Sequence, residues 1–236
     1  MEQLVSERGF VLRIIRVKFI KDSTVRFISH LDMMKAFQRA VRRSGLEAEY
    51  SHGFNPQMQM VFGAPLSLGF TSEAEYADFT FTHEYEPDEI KSKLNSTLPD
   101  GLKVIDVGIR LIKTNIMADI KYAVYDFRLF SKIPLENVVE MIMTAESLLV
   151  EKTRKGKTKT IDVRPLIVKT EAKAGRLKIL VKAGNQNNLN PRLLVEAVRV
   201  NIDEVVEGIG YNRKGQFVER DGKMVSPLDI VALEIK

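Results

Sequence analysis

Cysteine is absent from all 236 residues. Within this chain that excludes disulfides, Cys-ligated zinc, a thiolate nucleophile and a protein-ligated iron–sulfur cluster. Histidine is scarce, with only His30, His52 and His83. They are too few for a His-rich metal site, and no metal or other cofactor is expected. No apolar run approaches the roughly 18–20 residues of a membrane span, and nothing has the form of a secretory h-region. The expectation is a cytoplasmic protein with no membrane partner. With 44% hydrophobic and 28% charged residues the composition is globular rather than disordered. The length allows one large domain or two of roughly 100 residues.

Acidic charge is also scarce, but only locally. Residues 1–46 carry 10 basic and 4 acidic side chains, and residues 47–118 carry 5 and 11. Residues 119–150 hold 3 against 5, residues 151–200 hold 13 against 4, and residues 201–236 hold 5 against 7. The net charge of +5 therefore arises from two basic regions separated by acidic sequence. Such patterning bears on an anionic partner more directly than the average does.

Residues 1–9 have no periodicity and read as a flexible tail. The apolar and turn patterns then predict a strand over Phe10–Ile20, a short extension at Val25–Ile28 and a helix over 31–44. Ser29 is placed to cap that helix, Asp32 to reach back to the cap, and Gly45 to end it. Winding the helix puts Met33, Met34, Phe37, Ala40 and Val41 on one side and Lys35, Arg39, Arg42 and Arg43 on the other. Strands follow at Leu46–Tyr50, Met58–Phe62 and Glu73–Thr82, then a helix at Asp88–Leu98 and a strand at Leu102–Ile112.

The second half repeats the order. A strand is predicted over Ile120–Phe130, with Tyr122, Val124 and Phe127 facing inward. A helix follows Pro134, with Val138, Ile142, Ala145 and Leu149 on its apolar face. Residues Glu151–Lys159 read as a basic, Gly-containing connection, and Thr160–Thr170 with Arg176–Lys182 as a hairpin turning at Ala174-Gly175. Asn190-Pro191 opens a last helix, and a strand from Val205 ends in a hairpin at Asp221-Gly222. β-α-β-β-α-β twice is the ferredoxin-like order. The expectation is an α+β protein with the tail 1–9, one ferredoxin-like domain over 10–117, and a second over 118–236 carrying the C-terminal hairpin.

Two basic features are candidate nucleic-acid contacts. The first is the helix stripe Lys35, Arg39, Arg42 and Arg43, whose alternative is a solvated helix face. The second is the connection with Arg154, Lys155, Lys157 and Lys159, whose alternative is a solubilising hairpin tip. No Walker or dinucleotide spacing of glycines occurs, so nucleotide binding has no motif. A third candidate is a loop set, Ser29, His30 and Asp32 with Ser51, His52 and Asn55. Two imidazoles near neutrality could cleave a phosphodiester by general acid–base chemistry, whereas the structural alternative has His30 starting the helix and His52 bonding within its loop.

Arg26-Phe27-Ile28-Ser29-His30-Leu31-Asp32, Tyr50-Ser51-His52-Gly53-Phe54-Asn55-Pro56 and Pro65-Leu66-Ser67-Leu68-Gly69 together resemble one family, the radical SAM-linked bacterial proteins. The resemblance continues through Lys155-Gly156-Lys157, Asp162-Val163-Arg164-Pro165-Leu166-Ile167, Gln216-Phe217-Val218-Glu219 and Ser226-Pro227-Leu228. Relatives often follow Asn55-Pro56 with a His-Pro-basic run, where this chain has Gln57, Met58 and Gln59. The resemblance implies a partnership, because members occur fused to or encoded beside a radical SAM enzyme with a cobalamin-type domain. A chain without cysteine cannot hold that enzyme's cluster. The leading expectation is therefore a non-catalytic accessory or substrate-recognition subunit of such an enzyme, contacting RNA through the basic regions. The alternatives are a metal-independent endoribonuclease using His30 and His52, and a protein-interaction adaptor that binds no nucleic acid.

Overall fold

The computed structural model describes residues 14–110, 115–154, 156–184 and 189–229. The expected tail over 1–9 lies outside the described residues, as does Lys155. The protein is α+β and has two compact units. Unit 1 joins the chain up to Ile120 with the segment from Gln216 onward, and unit 2 is Lys121–Gly215. The C-terminal segment thus groups with the first half of the chain, whereas the sequence pattern attaches it to the second.

Unit 1 contains β1 (Ile14–Lys21), α1 (His30–Ser44), β2 (Met60–Phe62), β3 (Thr71–Thr80), α2 (Pro87–Asn95), β4 (Leu102–Arg110) and the short α3 (Ile116–Asp119). Strand β1 pairs antiparallel with β3 and β4, and β2 pairs antiparallel with β3. The order is fourth, first, third, second. Alternation along β1 turns Val17 and Phe19 to one face, where α1 contributes Phe37 and Val41 and α2 contributes Ile90 and Leu94. Phe19 and Phe37 have ring centroids 4.7 Å apart, and Phe62 meets Phe37 edge-on at 5.5 Å.

The opposite face of β1 buries a charge. Arg16 forms a two-pronged pair with Asp78 of β3, both nitrogen–oxygen distances being 2.6 Å. The third guanidinium nitrogen donates to the Pro227 carbonyl at 3.2 Å. Tyr76 Oη lies 3.5 Å from Ser226 Oγ, and Gln216 Nε2 donates to the Ala74 carbonyl at 2.7 Å. These contacts explain why residues from Gln216 belong to unit 1. Burial is the main cause that pushes the Tyr76 hydroxyl up to about 12.

Unit 2 contains β5 (Ile120–Ser131, shared at its first residue), α4 (Leu135–Thr144), β6 (Leu149–Arg154), β7 (Lys157–Asp162), β8 (Ile167–Lys173), β9 (Arg176–Lys182), α5 (Pro191–Asn201) and most of β10 (Val205–Arg220). Strand β5 neighbours β10 and β9, and β9 pairs with β8, while β6 and β7 form a separate two-stranded ribbon. Without the ribbon, the order is again fourth, first, third, second. The chain finally turns at Asp221-Gly222, both at positive φ, into β11 (Lys223–Val225).

Several local expectations differ from the structure. Val25–Ile28 is a turn, and Leu46–Tyr50 makes only isolated bridges, Ala48 to Phe81 and Tyr50 to Met58. Helix α4 stops at Thr144, and Leu149 opens a strand instead of extending the helix. The strand expected over Thr160–Thr170 is broken by a 3-10 turn at Arg164–Leu166, where Pro165 cannot donate to a ladder. After Ile120, the buried residues of β5 are Ala123, Tyr125, Phe127 and Leu129, while Tyr122 and Val124 lie half-buried on the other face. Phe127 has the predicted facing and the other two do not, since a slip of one residue reverses a strand's faces.

The start of α1 matches its sequence signal. Ser29 Oγ accepts from the Asp32 amide at 3.1 Å and donates to the Asp32 carboxylate at 2.7 Å. That side-chain bond is the leading reason the Asp32 carboxyl is held below its usual value. Replacing Ser29 with alanine removes the cap and is expected to destabilise unit 1 by about 1 kcal/mol, read as a lower urea midpoint with an unchanged slope.

Candidate functional site

Helix α1 has its apolar side in the core, so its remaining side faces solvent. Lys35, Arg39 and Arg42 follow one another at spacings of four and three, and all are exposed or half-exposed. Arg43 plays a different part: its guanidinium donates to the Thr97 carbonyl at 2.6 Å, just beyond α2. The expected four-residue stripe is therefore three solvent-facing cations and one arginine tying two helix ends together. Arg42 Nε also reaches Tyr50 Oη at 3.4 Å, which sets the helix beside the segment opening the next loop.

That loop is closed at its base. The Ser51 amide donates to the Gln57 carbonyl at 2.8 Å, the Gln57 amide donates to Ser51 Oγ at 2.9 Å, and Tyr50 bridges Met58. His52 and Asn55 are exposed at the loop's end. Between them stands Phe54, the most exposed large apolar side chain among the described residues, at 112%. Leaving a phenylalanine in water forgoes about 1.5–3 kcal/mol of burial. The sequence signals of Gly, Asn and Pro locate the loop but carry nothing about which way Phe54 points.

The two candidate imidazoles have different surroundings. His30 is the first residue of α1, half-buried, with its ring edge-on to Phe62 at 5.8 Å. His52 lies in the exposed loop. Ser29 and Asp32 serve the helix cap, and Ser51 serves the loop closure. Among the described residues no three His, Cys, Asp or Glu side chains gather as metal ligands.

In unit 2 the expected basic connection is not a loop but the β6–β7 ribbon. Thr153, Thr158 and Thr160 suit a pleated ladder, and Gly156 supplies the positive φ of 72° that its turn requires. Register pairs Lys152 with Lys159 and position 154 with Lys157. Because side chains alternate, Lys152, Lys157 and Lys159 share one face. The other face carries Glu151, Thr153, Thr158 and Thr160, with Thr153 and Thr158 hydroxyls 2.8 Å apart. Like charges directly across a ladder repel, so the arrangement works against the ribbon's own stability.

The ribbon's base is firmly held. Leu148 and Val163 are linked by a backbone bond of 3.0 Å, and Asn201 Nδ2 of α5 donates to the Leu149 carbonyl at 2.9 Å. A cavity of about 390 Å³ beside it is lined by Leu149, Val150, Glu151, Thr160, Glu196 and Val200. Its two carboxylates disfavour phosphate there, leaving the cationic face as the anion-attracting side.

Several other cations of this region have partners. Arg164 donates to the Met143 and Ile167 carbonyls at 2.8 and 3.3 Å. Arg176 pairs with Asp126 at 2.6 Å, and Lys169 and Lys178 both flank Glu171, at 3.9 and 3.4 Å. Two carboxylates, Asp126 and Glu171, thus offset part of the wider positive surface suggested by the sequence counts, and the ribbon adds a dense cationic face to it.

Fold and surface together define an α+β protein of two units, each bearing an exposed cationic element. The chain belongs to the bacterial family described as "Uncharacterized protein conserved in bacteria (DUF2344)", which it matches over residues 14–191. No curated protein matches it. Among solved structures it is similar to a chain of "Crystal Structure of a Cbf5-Nop10-Gar1 Complex", with 10% identity and a TM-score of 0.43. That similarity covers 92% of this chain and 54% of the other, so the chain spans about half the length of its structural relative. No helix among the described residues is long and apolar enough to cross a membrane.

Proposed function

We propose that the protein is an RNA-contacting accessory or substrate-recognition subunit of a radical SAM enzyme of the cobalamin-domain type. The observation that carries the RNA half is the ribbon. Lys152, Lys157 and Lys159 lie on one face and Glu151, the ribbon's one interior acid, lies on the other. Cations opposite one another are roughly 5 Å apart, and successive ones along a strand roughly 7 Å apart. A surface of that density attracts a polyanion and relieves its own repulsion when it binds one. The stripe Lys35, Arg39 and Arg42 is a second surface of the same character. Support for the radical SAM half is the motif resemblance, together with a cysteine-free sequence that leaves cluster chemistry to a partner. The fourth-first-third-second strand order supports reading each unit as ferredoxin-like, with the ribbon inserted after the first helix of unit 2.

The test is a fluorescence-anisotropy titration of a labelled RNA hairpin across a salt series. Phosphate contacts predict a steep fall in affinity between about 50 and about 200 mM salt. Absent or salt-insensitive binding overturns the RNA reading. Co-purification of the radical SAM enzyme that survives nuclease treatment tests the partnership by itself.

A further inference from the structure

We infer that the loop at Phe54, beside the cations of α1, is a stacking site for an unpaired base of single-stranded RNA. This rests on the RNA reading of the protein and adds a ligand class to unit 1. Three observations carry it. Phe54 is fully exposed on a loop whose base is closed by the bonds between Ser51 and Gln57, so its position is prepared before any ligand arrives. The Arg42–Tyr50 contact of 3.4 Å sets the base of this loop beside Arg42, the last cation of the stripe that begins with Lys35 and Arg39. Finally, the company Phe54 keeps is polar: His52, Asn55 and Gln57 are exposed around it.

A protein-binding hot spot needs a contiguous apolar surface that excludes water. The Phe54 loop has a single aromatic ring among hydrogen-bonding side chains instead. An aromatic platform next to a cationic track is the recurring means of holding single strands, with phosphates on the cations and a base on the ring. His52, Asn55 and Gln57 can then meet the edge of the stacked base. A paired helix has no unstacked base to offer, so the site selects single-stranded RNA over duplex.

The experiment compares Phe54→Leu and Phe54→Trp with the unaltered protein, using a labelled single-stranded oligouridylate of about 12 nucleotides and a blunt RNA duplex of about 16 base pairs. Leucine keeps the bulk and removes the π face. Phe54→Leu is expected to weaken single-strand binding roughly 5- to 100-fold and to leave duplex binding unchanged. Phe54→Trp is expected to retain single-strand affinity, with its fluorescence quenched as the base stacks. Unchanged single-strand affinity in Phe54→Leu overturns the stacking site, and so does an equal loss in Phe54→Trp, while duplex binding still reports on the ribbon. If the unaltered protein binds neither RNA, both readings fall.

Discussion

Reversing Lys152 and Lys159 to glutamate is expected to abolish measurable binding of duplex RNA while leaving the fold intact. The two face each other across the ribbon, so the double change replaces two attractive charges with two repulsive ones at one spot. Milder neutralisation is more quantitative. Lys152→Gln with Lys159→Gln should lower the slope of log affinity against log salt by roughly 1.4–1.8, at about 0.7–0.9 for each phosphate no longer neutralised. The same pair should raise rather than lower the ribbon's stability, because the uncharged residues no longer repel across the ladder. Opposite signs for binding and stability separate a functional charge from a structural one. An unaltered salt slope would remove the ribbon from the interface.

The second large effect concerns Asp78. Its carboxylate holds Arg16, whose side chain is 0% exposed, through two bonds of 2.6 Å. Asp78→Ala takes away both of these bonds and leaves the buried guanidinium on the Pro227 carbonyl. Removing one partner of a buried pair costs about 3–5 kcal/mol, a loss to be read in urea unfolding of unit 1. Replacing both partners, as Arg16→Met with Asp78→Leu, should recover most of that loss, since a packed apolar pair carries no unpaired charge. A double variant as unstable as Asp78→Ala would show that the cost is one of packing.

The α+β class, the cap at Ser29, the stop at Gly45 and the turns at Ala174-Gly175 and Asp221-Gly222 are legible in the sequence because each depends on residues a few positions apart. What is not legible depends on distant partners. Arg16 sits in an alternating strand pattern that says nothing of Asp78, 62 residues away, or of Pro227, 211 residues away. The ribbon reads as a loop because its lysines and glycine outweigh the threonines that favour a ladder. Once its register is known, the same lysines become one face. The stripe on α1 is visible in the sequence, yet the diversion of Arg43 to Thr97 is not, because helical periodicity does not report what lies past a helix's side. Phe54 illustrates the limit for the site: a loop can be located by its breakers, but the outward aromatic at its tip cannot.

Unit 1 is finished by residues that follow unit 2 in the chain. Gln216, Ser226 and Pro227 emerge only after all of unit 2 has been synthesised. Until then the β3 backbone at Ala74 lacks the Gln216 amide, and Arg16 lacks the Pro227 carbonyl. A nascent chain therefore passes through a stage in which unit 2 has emerged while unit 1 still has an incomplete surface. Exposed strand edges at such a stage invite pairing with other chains. Premature termination soon after Gly215 would release that unfinished species, so loss of the C-terminal segment should damage the first half of the protein rather than the second.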